Sequence, residues 1–547
     1  MKTAGSRILF NPVGRVHYRN MARFADALSG WELRCILNPK LPWVAELKDC
    51  AYPHCFFERD RTPAAALDGV AAVVLFTSQP RVPPCHLIQE AARRSIPVIA
   101  VEEVYQMMLE QGWVNEYFIP VDHLLTASDY ESERFRAIGV PPETVRTTGN
   151  PFRAAASEAS ASEEDRRKAK EELGCDPDRP VATLSLSGLN PDGETLETRQ
   201  TLLSLLEGGL TREFELVVKP HPMEMDGDLV DFIKRHAPRA KIASPHAPIG
   251  RVLAGTDILF NRGNSQVTLD ALDRGLPVIA VPVGRKTLFH ELPDSVVADD
   301  VADIRRVLKL VGERGRELYK PVMDRYTAIS AEQAVRNVAA SIMEIAEKRE
   351  LHKPTERMVT LALFWSWMGY PRQARRLLGS LRDAADTRVL EAADRLVSDR
   401  ASRDDLAVLR DREWLSGYKD WILQSLWIRK LDASGERLSD SDIGWLEGFP
   451  PRMNRLPFLP YALLLCWCLL RSGRHERGER LAGDLYREFP FLTQAAAARS
   501  VAGSGAAPHR TLTYWRQRLH RRLKASVKEW LFETVGERPG STGSSRR

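Results

Sequence analysis

A lysine and a histidine end an apolar strand in the middle of this 547-residue chain. The segment FELVVKPHPMEMDG, residues 214–227, reaches Lys219-Pro220-His221-Pro222 after a β-branched run, and its prolines stop the strand and stiffen the chain after it. Lys219 and His221 would therefore lie at the carboxyl end of a strand, which is where α/β sheets bind their ligands. The pattern predicts a ligand-binding edge, with a stiff and solvated turn as the alternative.

A later loop has the composition of a phosphate site. In GTDILFNRGNSQVTLDALDRGLPVIAVP, residues 255–282, we expect a strand to end at Asn261 and a helix to begin near Gln266. Free amides and positive potential at the start of that helix can hold a phosphate, and a glycine in the loop lets the backbone approach it. The loop consists of Arg262, Gly263, Asn264 and Ser265. Asp270, one turn inside the helix, is placed to reach a ribose hydroxyl; an ordinary capped helix is the alternative.

The strand PVATLSLSG, which opens the same half of the chain, leads into a third polar loop. Ser187 and Gly188 follow this strand at the usual place for a phosphate or pyrophosphate contact. A simple turn explains the sequence SGLNPDGE equally well, so both interpretations stay open.

Motifs that would indicate other chemistry are missing from the sequence. There is no P-loop, no nucleophile elbow, no zinc-protease helix motif and no dinucleotide-binding glycine motif. Three Asp-x-Asp pairs, which begin at Asp176, Asp226 and Asp440, lie in polar loops and do not follow an apolar strand. The sequence therefore predicts no metal site.

Two series of alternating strands and helices position these loops. From Arg7 to about Asn150, apolar runs such as RILFNP, VAAVVLF and IPVIAVEE alternate with helical patterns, and a second series runs from PVATLSLSG to LPVIAVP. Fully apolar strands are typical of parallel sheets covered on both faces. The pattern predicts an α/β protein with two Rossmann-like domains, residues 1–153 and 179–348, joined by a polar linker and helix at 154–178.

Length and composition indicate several soluble domains. A chain of 547 residues is too long for one core, and 44% apolar and 28% charged residues are typical of soluble proteins. The net charge of +5 does not by itself indicate nucleic acid, and seven scattered cysteines without a Cys-x-x-Cys pair fit a reducing cytosol. The N-terminal residues lack the apolar run of a signal peptide. We expect a cytoplasmic protein that binds no nucleic acid.

Strand patterns stop after about Glu350, and helical patterns take over. The segments around Gly369 and Gly473 each show a helix, a glycine turn and a second helix. The two glycines lie 104 residues apart, close to three times the tetratricopeptide period of about 34. We expect an α-helical, tetratricopeptide-like domain over 354–535 and a disordered tail at 536–547.

The lysine–histidine strand end and the Gly-Asn-Ser loop together resemble the nucleotide-binding half of GT-B glycosyltransferases. The likeness is to bacterial surface and capsule polysaccharide transferases, namely sialyl- and Kdo-type enzymes and CDP-glycerol glycerophosphotransferases. These enzymes show a Lys-x-His-Pro strand end and a Ser/Thr-rich loop before a Glu-Ala-Leu helix, where this chain has Asp270-Ala271-Leu272 and so a shorter carboxylate. The segment LLTASDYESERFRAIGVPPETVRTTGNPFRA is similar to the interdomain crossing of GT-B transferases and UDP-N-acetylglucosamine 2-epimerases. The resemblance covers about residues 5–345.

The resemblance implies a nucleotide-sugar as co-substrate and no further cofactor. Lys219 and His221 would then stabilise the departing phosphate without a metal. An inverting transfer also needs a general base for the acceptor hydroxyl, and the first domain should supply it. The candidates are His17, which follows the first strand, and Glu102 and Glu103, which end IPVIAVEE. A retaining transfer would need no such base, and the sequence does not choose between the two.

A basic helical pattern lies near the end of the chain. Residues 510–531 repeat Leu, Trp and Val at helical spacing, and 510–528 contain seven Lys or Arg and no acid. Such a helix can lie on an anionic membrane surface, which would place the protein at the inner face of the cell membrane. Packing of its apolar stripe on the helical domain is the alternative.

Three functions stay open from the sequence. The first is a transferase that moves a sugar, or a polyol phosphate, to a surface-glycan or protein acceptor held by the helical domain. The second is a 2-epimerase of the same fold, which acts on one UDP-sugar and needs no acceptor. The third is a non-catalytic scaffold that combines a GT-B pair with helical repeats.

Overall fold

The computed structural model places the chain in two parallel α/β sheets followed by a helical region. It describes residues 7–47, 50–59, 61–76, 82–102, 121–137, 140, 142–153, 162–186, 202–206, 210–220, 227–262, 266–281, 296–298, 300–348, 354–367, 369–381, 386–412, 420–446, 465–466 and 468–488. The predicted fold class, two α/β domains and a helical C-terminal region, is confirmed. Among these residues, no helix has the length and apolarity required to cross a bilayer.

The first sheet has seven parallel strands in the order β3-β2-β1-β4-β5-β6-β7. They are β1 (Arg7–Asn11), β2 (Glu32–Leu37), β3 (His54–Phe56), β4 (Val70–Leu75), β5 (Val98–Val101), β6 (His123–Thr126) and β7 (Val145–Thr147). Every residue of β4 and β5 is buried, as expected for parallel strands that are covered on both faces. The strand order reverses between β1 and β4, and ligands of such sheets bind at the carboxyl ends of the strands beside this reversal.

Helices cover both faces of this sheet. They are α1 (Arg15–Ala27), α2 (Pro42–Ala45), α3 (Val82–Arg93) and α4 (Asp129–Ala137). Alternate residues of β1 point to opposite faces, so Phe10 packs in one apolar cluster with Phe24 of α1, and Leu9 packs in another with Leu87 of α3.

The second sheet has five parallel strands in the order β10-β9-β8-β11-β12. They are β8 (Val181–Ser185), β9 (Glu215–Lys219), β10 (Lys241–Ile242), β11 (Ile258–Arg262) and β12 (Val278–Val281). The longer helices of this part are α5 (Glu163–Glu172), α6 (Gly227–His236), α7 (Ile249–Ala254), α8 (Gln266–Asp273), α9 (Val301–Arg314) and α10 (Lys320–Tyr326). The helix predicted within the linker is α5, and it packs on this domain, since its Lys170 pairs with Asp257 at 2.8 Å.

A long helix, α11 (Ala331–Lys348), returns from the second sheet to the first. Its Val338 and Ile342 are buried in the apolar cluster that contains Phe10 and Phe24. The predicted second domain extended to residue 348, but this helix packs beside α1 on the first sheet because its apolar stripe completes that face.

The helical region is a series of antiparallel hairpins. Within the described residues its helices include α12 (Pro354–Trp367), α13 (Pro371–Gly379), α14 (Thr387–Val397), α15 (Arg403–Arg410), α16 (Asp420–Ser434), α17 (Asp440–Leu446) and α18 (His475–Glu488). Each of the three hairpin turns among the described residues contains a residue with left-handed backbone. These residues are Gly369, Asp399, Gly435 and, before α18, Gly473. The recurrence agrees with a helical repeat, and the tetratricopeptide assignment stays a prediction.

One arginine of α16 joins the ends of α12 and α14, the first helices of the two preceding hairpins. Arg429 of α16 donates to the Ser366 carbonyl at the end of α12, to the Val397 carbonyl at the end of α14 and to Asp399 in the following turn, at 2.8 to 3.2 Å. A guanidinium at two helix C-termini satisfies carbonyls that have no helical partner. Helices α12, α14 and α16 therefore pack against one another.

The helical region is docked on the first α/β domain. Helix α12 packs along α3, and the residues of both belong to one apolar cluster. At this contact, Arg357 forms an ion pair with Asp122, whose side chain is fully buried, and also donates to the Ile88 carbonyl at 3.3 Å. The same carboxylate accepts the Val98 amide of β5 at 2.7 Å, so α12 is tied directly to the strands of the first sheet.

Candidate functional site

Three buried polar residues line the carboxyl edge of the second sheet. Lys219 ends β9, Ser185 ends β8 and Asn261 lies one residue before the end of β11. The strand register places Ser185 opposite both others, so the three side chains stand in a row on one face. Their exposed fractions are 4%, 6% and 1%. A row of this kind at the carboxyl edge of a parallel sheet is where a polar ligand is expected.

Lys219 is a buried cation without a carboxylate partner in the described part of the chain. Its Nζ donates to the carbonyls of Pro220 and Pro245, both at 2.8 Å, which ties the segment after β9 to the segment after β10. Burial lowers the pKa of Lys219 to about 8. An ammonium has three N–H donors, and these two carbonyls, its partners among the described residues, account for two of the three.

The helix after β11 is described from Gln266 onward, and Arg262 belongs to the strand and not to the loop, because its backbone pairs with Val281. In α8, Thr268 accepts a hydrogen bond from the Asn261 amide at 2.8 Å, and Asp270 accepts one from Gln266 at 3.4 Å. Asp270 is only 5% exposed. Five predicted donor-site residues of these loops lie outside the described residues: Ser187, Gly188, Gly263, Asn264 and Ser265. His221 and Glu103 lie outside them as well.

The crossing between the two sheets is held to α8 by two side chains. Asn150 accepts the Phe152 amide at 2.8 Å, which shapes the turn, and donates to Gln266 at 2.9 Å. Arg153 pairs with Asp273 through two nitrogens and is itself only 4% exposed. These contacts hold α8 to the crossing at its first and last described residues, and so fix the position of Asp270 relative to the crossing.

Gly149 lets the returning helix approach the crossing closely. Its φ is 91°, and a Cβ at this position would lie 2.7 Å from side-chain atoms of Ile329 and Ala334. Asn337 of α11 donates to the Thr148 carbonyl at 3.1 Å, and Arg153 donates to the Ile329 carbonyl at 2.7 Å. The two passages of the chain between the sheets therefore brace each other at one place.

His17 lies in the first turn of α1, directly after β1. Its Nδ1 accepts the Gly14 amide at 3.2 Å, in the position where a Glu or Gln often closes the start of a helix. Its ring is buried between Phe76 and Phe152, at centroid distances of 5.7 and 5.2 Å. Because Nδ1 is an acceptor, the neutral ring carries its proton on Nε2 and presents a donor there. This geometry suits donation to an anion better than removal of a proton.

Glu102 follows the last residue of β5 and is 1% exposed. Its amide donates to the Leu125 carbonyl of β6 at 2.9 Å, which continues the strand pairing one residue past β5. The residue lies at the carboxyl edge of the first sheet, as predicted for a general base. A carboxylate in this position can accept a proton, which His17 cannot do at Nε2 in the tautomer that its hydrogen bond from Gly14 implies.

The structure links some of the predicted site residues and leaves others apart. His17 contacts Phe152 of the crossing, Asn150 of the crossing bonds Gln266, and Gln266 bonds Asp270, so the first strand loop and α8 are connected. Lys219 lies on β9, which is two strands away from β11, and Ser185 lies on β8 between them.

The crossing is a recognisable motif in the sequence, but the contacts of Asn150, Arg153 and Gln266 were not predicted from it. The segment TGNPFR held the signal, since an Asn-Pro turn and a buried arginine need partners. The sequence also contained a signal for Asn261 and Ser185, because each is a polar residue at the end of an apolar run. Among the described residues, no group of three His, Cys, Asp or Glu is arranged to hold a metal ion.

No protein-family model matches this chain, and no curated protein matches it. Solved structures are similar over part of it. The wall teichoic acid polymerase TagF has 12% identity and a TM-score of 0.44, covering 64% of this chain and 91% of TagF. Anabaena Alr3699/HepE, solved with UDP and glucose, has 12% identity and a TM-score of 0.42, covering 62% of this chain and 98% of HepE.

A third similar structure is the UDP-GlcNAc 2-epimerase from Neisseria meningitidis bound to UDP-GlcNAc. It has 13% identity and a TM-score of 0.43, covering 62% of this chain and 99% of the epimerase. Similarities this distant do not assign an activity to this chain.

Proposed function

We propose that this protein is a glycosyltransferase of the GT-B type, which moves a sugar or a polyol phosphate from a nucleotide-activated donor to a glycan or protein acceptor. The observation that carries the proposal is Lys219, a buried cation without a carboxylate partner in the described part of the chain, at the carboxyl edge of the second sheet. Burying an unpaired charge costs free energy, which an anionic ligand would recover. The sequence resemblance to surface polysaccharide transferases indicates that this anion is the phosphate of a nucleotide-activated donor.

The donor diphosphate would lie over the polar row of Lys219, Ser185 and Asn261. Lys219 would give its third N–H to a phosphate oxygen, and the start of α8 would add its free amides. Both stabilise the negative charge that develops on the leaving phosphate, without requiring a metal. The predicted roles of His221 and of loop 263–265 at the same phosphates stay part of this proposal.

The acceptor would be activated from the first sheet. Glu102 is the described residue whose chemistry fits a general base, with Glu103 as its neighbour in sequence. His17 would instead donate from Nε2, which suits a donor phosphate or a developing charge. Membrane contact through residues 510–531, acceptor binding by the helical region and a location at the inner face of the membrane remain parts of the proposal, and 510–531 lies outside the described residues.

The first test is thermal stabilisation of the full chain by CMP, CDP, UDP, GDP and ADP, each with and without Mg²⁺. A nucleotide at 100 times its Kd should stabilise the protein by about 2.7 kcal/mol. We expect one pyrimidine nucleotide to do so without metal, and Lys219→Met to remove the effect. Lys234→Met is the matched control, since Lys234 is an exposed lysine of the same domain. If no nucleotide stabilises the protein, the transferase proposal is wrong and a scaffold is favoured.

The second test separates the catalytic candidates. His17→Gln keeps an acceptor for the Gly14 amide, because Gln at this helix position makes the same reciprocal bond, so the variant should fold normally. Glu102→Gln keeps the size of the side chain and removes its basicity. We expect Glu102→Gln to abolish transfer while nucleotide binding persists, and His17→Gln to weaken donor binding. Conversion of a UDP-sugar to its epimer without any acceptor would favour the epimerase instead.

A further inference from the structure

Three cysteines that are scattered in the sequence meet at the edge of the first sheet. Cys35 lies in β2 and is fully buried, while Cys50 and Cys55 are partly exposed. The Sγ atoms of Cys35 and Cys50 are 3.9 Å apart, which is van der Waals contact, and all three thiols are free. Cys55 is on the adjacent strand β3, where its Sγ lies 3.9 Å from the Cys35 carbonyl.

Cys50 is held in this position by α1. The Tyr18 hydroxyl donates to the Cys50 Sγ at 3.0 Å and accepts the Ala51 amide at 2.8 Å. The backbone before β3 is fixed as well, since Cys35 donates its amide to the Pro53 carbonyl at 3.0 Å. The two sulfur atoms are therefore kept in contact by bonds on both sides of the pair.

We propose that Cys35 and Cys50 form a reversible disulfide when the protein meets a small-molecule disulfide such as oxidised glutathione. The partly exposed Cys50 reacts first: its thiolate attacks one sulfur of the small disulfide, forms a mixed disulfide and releases one thiolate. Cys35 then loses its proton and attacks the Cys50 sulfur, which forms the protein disulfide and releases the second thiolate. The two protons from the cysteines end on the two released thiols, so one disulfide is reduced for each one formed.

The cross-link would stiffen the segment that follows β2. Residues 38–47 contain the turn after β2 and helix α2, and they contact the chain between β1 and the first turn of α1. Trp43 donates to the Val13 carbonyl at 3.4 Å, and Glu46 pairs with Arg15 at 3.1 Å. Closing this loop reduces the freedom of the unfolded chain, so oxidation should raise the Tm by a few degrees.

Burial sets the rate of the second step. Removal from water raises the pKa of the Cys35 thiol well above its usual range, so little thiolate is present at neutral pH. The mixed disulfide on Cys50 should therefore accumulate before the protein disulfide, and its conversion should speed up as the pH rises.

The experiment treats the full chain with excess oxidised glutathione, alkylates the remaining thiols and digests without reduction. Trypsin yields a Cys35 peptide, residues 35–40, and one peptide, 49–59, that contains both Cys50 and Cys55. We expect these two peptides to be linked in the wild type and in Cys55→Ser, and not in Cys50→Ser. The Tm increase should be reversed by dithiothreitol and absent in Cys50→Ser.

Two results would overturn the proposal. If the linked peptides persist in Cys50→Ser, the disulfide forms through Cys55 and the assigned pair is wrong. If the Cys35 peptide stays fully alkylated at alkaline pH while glutathione is bound to Cys50, the contact does not support a disulfide. Cys85, which is buried in α3, is the internal control and should be alkylated only after denaturation.

Discussion

Removing Arg357 should destabilise this protein far more than removing an exposed arginine, because the charge of Arg357 holds the helical region to the first sheet. The Arg357 and Asp122 side chains are 4% and 0% exposed, and each also bonds backbone of the first domain. Arg357→Met keeps most of the side-chain volume and leaves Asp122 with one backbone donor.

The expected cost follows from burial. Breaking a fully buried ion pair by removing one partner costs about 3–5 kcal/mol, mostly because the remaining charge is unpaired away from water. A second change should rescue the variant, because Asp122→Asn removes that charge while the new side-chain carbonyl oxygen can still accept the Val98 amide. The double variant should therefore recover about 2 kcal/mol relative to Arg357→Met alone.

The assay is urea unfolding of the full chain, followed by fluorescence and far-ultraviolet circular dichroism. Arg375→Met is the control, since Arg375 is an exposed arginine of α13 and its loss should change stability by less than about 0.5 kcal/mol. If Arg357→Met unfolds within that margin of the control, or if Asp122→Asn worsens it, the ion pair does not hold the two parts together.

Three further changes test other parts of the structure. Gly369→Ala should destabilise the first hairpin by about 1 kcal/mol because the φ of Gly369 is 90°. Gly379→Ala should instead stabilise the protein by about 0.5–1 kcal/mol, because Gly379 lies in helix α13 and an added Cβ would meet no neighbouring atom there either. Urea unfolding measures both changes. Arg153→Met should raise the KM for the donor more than it lowers kcat, since Arg153 positions α8 without lying at the transferred group; an unchanged KM would contradict this. Because the pKa of Lys219 is about 8 and a bound phosphate favours its protonated form, nucleotide affinity should fall by up to about tenfold per pH unit above 8 in calorimetry, and Lys219→Met should be insensitive over that range.

Most of the strands could be predicted, because parallel strands that are buried on both faces are nearly continuous apolar runs. Strands β2, β3 and β7 were not predicted, since each contains exposed or partly exposed residues. VAAVVL and VIAV are buried at every residue, and such runs leave few alternatives to a parallel sheet. The chain is helical from Gln266 onward, which agrees with the prediction of a helix near this residue, since the apolar periodicity changes there from strand to helix.

The partners across the fold could not be predicted, because local patterns do not say which distant segments meet. Helix α11 reads as the last helix of the second domain, yet its apolar stripe is buried on the first sheet. One hairpin turn could not be recognised by its glycine, because the residue with the left-handed conformation there is Asp399. The contact between Cys35 and Cys50 was invisible for the same reason, because no local spacing marks it.

The position of the candidate donor site relative to the first sheet depends on one small joint. The chain passes between the sheets at Gly149–Arg153 and again before α11, and the two passages touch where Gly149 meets Ile329. Because they brace each other, the second sheet cannot rotate freely about either passage alone. Arg153 and Asn150 then bond this joint to α8, which follows the predicted phosphate loop in the sequence. If, as proposed, an acceptor binds near Glu102 and a donor near Lys219, the residues of this joint help to set the distance between them. A transfer reaction should then be sensitive to the joint as well as to the groups at the two sheet edges.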